Sequence, residues 1–139
     1  MDEAALEAAG WQRLPTARFS AAIGPTWVKG GPGRRTVALL AHEGIVNDYG
    51  AVVHGGALMT FADIALGVGA ADALAAESLV TAQLQYQFAG GVPVGRLITC
   101  APELVRKTSQ LIFVRGLLKA DDEVVGSTEG IFKALKPRS

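Results

Sequence analysis

Residues 55–71 read GGALMTFADIALGVGAA, directly after Ala51-Val52-Val53-His54. Only Thr60 and Asp63 carry polar side chains there. The run is too long for a typical strand and has no period-two alternation, so it predicts a helix over 55–76. A helix that is apolar on nearly every face belongs in an interior. Asp63 is the anomaly, because burying an unpaired carboxylate costs several kcal/mol, on the order of magnitude expected for desolvated charge. No Lys or Arg lies within four residues of it along the chain. Two readings follow: a structural Asp held by an ion pair or by water, or a carboxylate kept for chemistry. The missing local cation favours the second.

The flanking sequence supplies the rest of the fold. Residues 2–10 predict a short helix ending at Gly10, and residues 11–24 show no clear period. Residues 26–30 and 35–41 have strand character, separated by the turn Gly30-Gly31-Pro32-Gly33. Residues 80–88 alternate. Val80, Ala82, Leu84, Tyr86 and Phe88 are expected on one face, and Thr81, Gln83, Gln85 and Gln87 on the other. Three further strand-like runs follow at 95–105, 109–119 and 123–134. Their short connections, Arg106-Lys107-Thr108 and Ala120-Asp121-Asp122, predict an antiparallel meander. One long apolar helix with antiparallel strands is an α+β pattern, the helix packed on one sheet face. The sheet covers one side of that helix, and a curled sheet or a second copy must cover the other.

Composition narrows the function classes. The chain has 139 residues, enough for one domain with a real core, and 13 basic residues balance 13 acidic ones. The whole of 1–139 reads as a single domain, with 1–20 as a helical or irregular extension. No basic stripe points to nucleic acid. Glycines and two aspartates interrupt the apolar run, which argues against a membrane span. Asp2, Glu3 and Glu7, with no positive n-region, argue against a signal peptide. The one cysteine, Cys100, has no internal disulfide partner, which fits a reducing, cytoplasmic setting. Two His and one Cys, widely spaced, form no recognisable metal-ligand set.

Asn47, Gly50, the segment His54-Gly55-Gly56-Ala57-Leu58, Asp63 and the strand 81–88 occur in an order that resembles the hotdog-fold acyl-CoA thioesterases of the phenylacetate-pathway type. The resemblance covers roughly residues 20–135. His-Gly-Gly alone is a weak motif. It is more specific when followed by Asp nine residues past the His and by Thr at the head of an alternating strand. The resemblance implies an antiparallel sheet wrapped around a central helix, protomers joined into homodimers, and dimers often paired into homotetramers. It implies an acyl-CoA substrate and no separate cofactor, coenzyme A arriving as part of the substrate.

The residues offer a matching chemistry. Amides in the first turn of a helix lack intrahelical partners, and the helix dipole adds positive character there. Glycine permits close approach to that backbone. Gly55 is thus a candidate oxyanion donor, with Gly56 beside it contacting substrate, although a tight loop-to-helix turn explains both glycines as well. Asp63 is the candidate general base or nucleophile. It lies eight residues past Gly55, about 12 Å along a helix axis. The two cannot act on one carbonyl within a single chain, so a shared site requires a second, antiparallel copy. His54 reads equally as a structural residue or as one that orients loop or substrate. The resemblance places Asn47 near the nucleophile or water, but the Gly50-to-His54 spacing is one residue longer than in the family's motif, and Asp48 is an alternative. Thr81 either holds water or the carboxylate, or is an ordinary strand residue. Arg106 and Lys107 are the first candidates for the phosphates of coenzyme A, ahead of Arg115, Lys133 and Lys136.

Two other functions share this pattern. Hydration of a 2-enoyl thioester adds water and keeps the thioester, whereas hydrolysis frees CoA thiol; crotonyl-CoA followed by mass spectrometry separates them. A non-catalytic acyl-CoA-binding protein would bind tightly and release no thiol.

Overall fold

The computed structural model of the protein describes residues 1–74 and 78–135. Two α-helices, α1 (Glu3–Ala8) and α2 (Gly55–Leu74), accompany eight strands: β1 (Gln12–Leu14), β2 (Thr26–Lys29), β3 (Thr36–Leu40), β4 (Leu79–Phe88), β5 (Leu97–Cys100), β6 (Glu103–Lys107), β7 (Leu111–Ala120) and β8 (Glu123–Ala134). The expected end of the long helix, at 75–76, lies outside the described residues, as does Lys136.

All pairings are antiparallel, in the order β1-β2-β3-β5-β7-β8-β4, with β6 added on β7. The expected meander over 95–134 holds: β5 and β6 both pair with β7, and β7 pairs with β8. β4 does not pair with β5, which follows it in sequence; it crosses to the far edge beside β8. The run expected over 95–105 is two strands. Ala101 and Pro102 interrupt it, since proline has no N–H to give to a ladder.

The sheet curls around α2. Ala57, Leu58, Phe61, Ala62, Ala65, Leu66 and Ala70 of the helix are buried against Val37, Leu39, Ile98, Ile112, Val114, Leu118 and Phe132 of the strands. Gly69 has a packing reason: a Cβ there would lie 2.6 Å from the Cβ of Pro102. At the far end of the helix, Asp72 accepts from Arg35 Nε at 2.8 Å and from Gly33 N at 3.2 Å, tying α2 to the β2–β3 turn. By length and composition α2 could cross a membrane, with mean hydropathy 1.5. The aspartates and glycines do not disqualify it; here the apolar face is used against the chain's own sheet.

The N-terminal segment belongs to the fold. Asp2 caps α1 by accepting from Ala5 N at 2.9 Å, and the chain leaves the helix through Gly10 at φ +94°. Leu6, Trp11, Trp27 and Ala38 form a second small core on the outer face of the sheet. β1 then pairs with β2, and a 3-10 turn at Arg18–Ile23 packs near α2. The extension expected over 1–20 therefore supplies both a strand and a cover for the sheet.

β4 carries the feature that decides the site. Thr81 is opposite Phe132, but Gln83 is opposite Ile131, so Ala82 is an extra residue in a β-bulge. A bulge reverses which face later residues occupy. Leu79 and Thr81 point toward α2, and beyond the bulge Leu84, Tyr86 and Phe88 do so. Val80 is turned outward. The expectation that Thr81 shares the outer face with Gln83, Gln85 and Gln87 is therefore wrong, and Val80 and Ala82 do not belong with Leu84 on the inner one.

Candidate active site

The stripe of α2 left uncovered by the sheet contains Thr60, Asp63, Ile64, Gly67 and Ala71. These residues recur every three or four positions and so lie along one side. Asp63 is half-buried, not buried, which lowers the cost of its charge. Thr81 Oγ1 donates to Asp63 Oδ1 at 2.6 Å, and among the described residues Asp63 has no ion pair. Asp72, on the same helix, does have one, with Arg35. The ion-paired structural reading thus fits Asp72 and not Asp63.

Asp63 opens onto a groove of about 420 Å³ between α2, the head of β4 and the N-terminal segment. Leu14, Pro15, Thr16, Ala17 and Ser20 form one wall, and Leu79, Thr81 and Phe132 the other. The first wall lies in the stretch 11–24, which has no periodicity to expose it in the sequence.

The N-terminal turn of α2 is built differently. His54 Nδ1 accepts from Gly56 N at 2.8 Å. This geometry needs an unprotonated Nδ1, so the neutral ring carries its proton on Nε2. The Gly56 amide is therefore committed within the turn, and Gly55 is the one of the two glycines whose N–H remains to meet a substrate. His54 N bonds Ile45 O at 2.7 Å, and Asn47 N bonds Val52 O at 2.7 Å, closing the loop that precedes the helix. Asn47 Oδ1 accepts from Ala51 N at 3.2 Å, so this side chain braces its own loop, while Asp48 is exposed. The ring of Phe88 lies against Gly55: a Cβ on Gly55 would be 3.2 Å from Phe88 Cε1.

Thus one chain holds two separated parts. Asp63 and Thr81 meet beside the groove, whereas His54, Gly55 and Phe88 gather at the helix start, about 12 Å away along the axis. Lys107 Nζ donates to Ala73 O at 3.2 Å at the opposite end of α2. Arg106 is exposed and has no ion-pair partner among the described residues. Arg115 is engaged with Glu103 at 3.3 Å. No group of three potential metal ligands occurs among the described residues.

Two inner-face groups are pushed away from ionisation. Burial drives the Cys100 thiol up to about 12. Burial, and then the neighbouring Cys100, drives Tyr86 up to about 12. The Tyr86 hydroxyl is buried with no hydrogen-bond partner and lies over Gly126, where any Cβ would collide with it.

Residues 50–127 match the thioesterase superfamily. No curated protein matches the chain by sequence. Among solved structures, a hypothetical thioesterase with coenzyme A from Streptococcus pneumoniae TIGR4 superposes with a TM-score of 0.71 at 16% identity, covering 86% of this chain and 92% of that one. The E. coli PaaI protein from the phenylacetic acid degradation operon superposes with a TM-score of 0.69 at 15% identity, covering 97% of this chain and 86% of its own. The conserved protein PA5202 from Pseudomonas aeruginosa gives 0.67 at 20% identity, covering 97% and 96%. At these identities the likeness is one of fold: the antiparallel sheet around a long helix.

Proposed function

Because the chain belongs to the thioesterase superfamily, we propose that it hydrolyses an acyl-CoA thioester to a free carboxylic acid and CoA. The observation that carries this is Asp63: a half-buried carboxylate without an ion-pair partner among the described residues, held by Thr81 and facing an apolar groove. As general base, Asp63 takes a proton from water while the water oxygen bonds to the thioester carbon. The carbonyl electrons move onto oxygen, where the Gly55 amide and the helix start stabilise them. One such donor is worth about 3 kcal/mol of barrier. The C–S bond then breaks, and the thiolate leaves with the proton. In the nucleophilic variant an Asp63 oxygen bonds to the thioester carbon, the C–S bond breaks to release CoA as thiolate, and water opens the resulting anhydride to give the free acid and restore the Asp63 carboxylate. Thr81 fixes the carboxylate, and His54 and Asn47 hold the turn that carries Gly55. That the neighbour from S. pneumoniae is described with coenzyme A supports a CoA substrate. Arg106 and Lys107 are proposed for its phosphates, and no cofactor is assigned.

The site is proposed to form across a homodimer. β4 ends the sheet with an unpaired edge of ten residues. That edge has no proline and no charged residue in LVTAQLQYQF, the protections that edges usually carry. Antiparallel pairing of two such edges about a twofold at Gln85 sets Gln85 beside its own copy and, with Ala82 bulged out of the count, brings Thr81 opposite Phe88 of the other copy. Asp63 then approaches the other copy's Gly55, solving the separation of about 12 Å along one helix. The exposed outer face of β7 and β8, with a groove of about 570 Å³, is a proposed surface for pairing dimers into a homotetramer. A cytoplasmic setting is proposed from the lone buried thiol.

A panel of acyl-CoAs assayed by thiol release, with wild type and Asp63→Asn, tests the reading. The expectation is release by wild type and a loss of about 10²- to 10⁴-fold in the variant. Near-wild-type turnover by a folded Asp63→Asn protein sinks it.

A further inference from the structure

Gly67 lies one helical turn past Asp63, on the same open stripe of α2. Its identity is unexplained by packing. A Cβ there would meet only Phe132 Cε1, at 3.6 Å, an ordinary contact. Its backbone is helical, so no left-handed conformation requires glycine. Inside a helix glycine is less favourable than alanine. The neighbouring Gly69 is the contrast, since Pro102 forbids a side chain there. What Gly67 provides is space: it lines the groove beside Asp63, facing Leu14 and Pro15 across it.

We infer that Gly67 sets acyl-chain selectivity, keeping open the floor of a groove that takes a neutral, linear, medium-length acyl chain. This rests on the reading of Asp63 as the reacting carboxylate. Among the described residues lining the groove Asp63 is the one charged group, so no lining cation meets a second carboxylate on the substrate. Apolar Leu14, Ile64, Val68 and Leu79 surround the path. From Asp63 past Gly67 to Ala71 the stripe runs about 12 Å, the length of an extended chain of roughly nine carbons at ordinary C–C spacing. Monothioesters of dicarboxylic acids are excluded by the charge of Asp63 and the apolar walls.

The test compares acetyl-, hexanoyl-, octanoyl-, phenylacetyl- and succinyl-CoA on wild type, Gly67→Ala and Gly67→Leu. Wild type favours octanoyl-CoA over acetyl- and succinyl-CoA. Gly67→Leu lowers the octanoyl-to-acetyl ratio of kcat/KM at least tenfold. Gly67→Ala shifts that ratio the same way by less and raises Tm by about 3 °C, so the test survives if the leucine variant misfolds. Unchanged ratios in a folded variant overturn the inference, as does succinyl-CoA turnover equal to that of octanoyl-CoA. A weakened dimer with an unchanged profile also overturns it, because Gly67 then serves close approach of a second helix. If no acyl-CoA releases thiol, the Asp63 reading fails instead. Calorimetric binding of octanoyl-CoA then judges the groove alone: Gly67→Leu weakens it at least tenfold, or the inference falls with the other.

Discussion

Replacing Thr81 by valine removes one hydroxyl and keeps the β-branched shape that suits a strand. The hydroxyl makes one bond, to Asp63 Oδ1 at 2.6 Å. Hydrogen bonds to charged groups contribute about 1.5–3 kcal/mol, and exposure of Thr81 puts this one at the lower end. A loss of about 1.4 kcal/mol from the transition state is a tenfold fall in kcat. The expected result is therefore a kcat about tenfold lower, with KM nearly unchanged, for the best acyl-CoA of the panel. Thr81→Ser, which keeps the hydroxyl, recovers most of the rate. The double variant Asp63→Asn/Thr81→Val carries the stronger test. If Thr81 acts by positioning Asp63, its removal from the Asp63→Asn background changes nothing further, and the coupling energy equals the whole Thr81 effect. Additive losses in the double variant would refute the reasoning, as would a Thr81→Val kcat within twofold of wild type.

Three other outcomes are expected. Gln85→Lys sets like charges against each other at the proposed twofold, a destabilising cross-strand arrangement; sedimentation should show a weaker dimer and activity should fall with it, and an unchanged dimer argues against β4 pairing. Gly55→Ala brings a Cβ to 3.2 Å from the exposed, movable ring of Phe88, so stability should change by no more than about 0.5 kcal/mol while kcat drops; equal activity would remove Gly55 from the oxyanion role. Cys100 has a thiol raised from 9.0 to about 12, so the unfolded chain ionises first: the stabilising preference for the native state is intact below pH 9 and is lost progressively up to about 12. Denaturation at pH 9 to 11 should show a stability slope up to about 1.4 kcal/mol per pH unit steeper than in Cys100→Ala. An equal slope would contradict the burial of this thiol.

Much of the fold was legible because it was local. The apolar run 55–71 predicted α2, and the polar isolation of Asp63 within it pointed to the residue now found facing the groove. The turn His54-Gly55-Gly56 falls at the helix start as its glycines suggest. Less local features were hidden. The crossing of β4 to the edge beside β8 leaves no mark in the spacing of residues. Period-two counting puts Thr81 on the wrong face because it assumes every residue pairs, and Ala82 does not. The groove wall from Leu14 to Ser20 has no period, since an irregular segment is positioned by what it packs on. Asp63 read as buried because a composition apolar all round does not say which stripe the sheet leaves open.

The extra residue at Ala82 works as a phase shift in the strand. Ahead of it, odd-numbered positions meet the helix; after it, even-numbered ones do. Without the shift, a strand in register from Leu84 onward would bring Val80 and Ala82 to the helix and turn Thr81 to the outer face. Asp63 would then lose the hydroxyl that donates to it although every amino acid of the site were retained. Deleting Ala82 would leave Thr81 opposite Phe132 and facing the helix, whereas drawing Ala82 into the ladder, with no chemical group changed, separates the carboxylate from its hydroxyl. The site is encoded in the count of residues as much as in their identity, and aligning related chains without a gap at this point would compare faces that never meet.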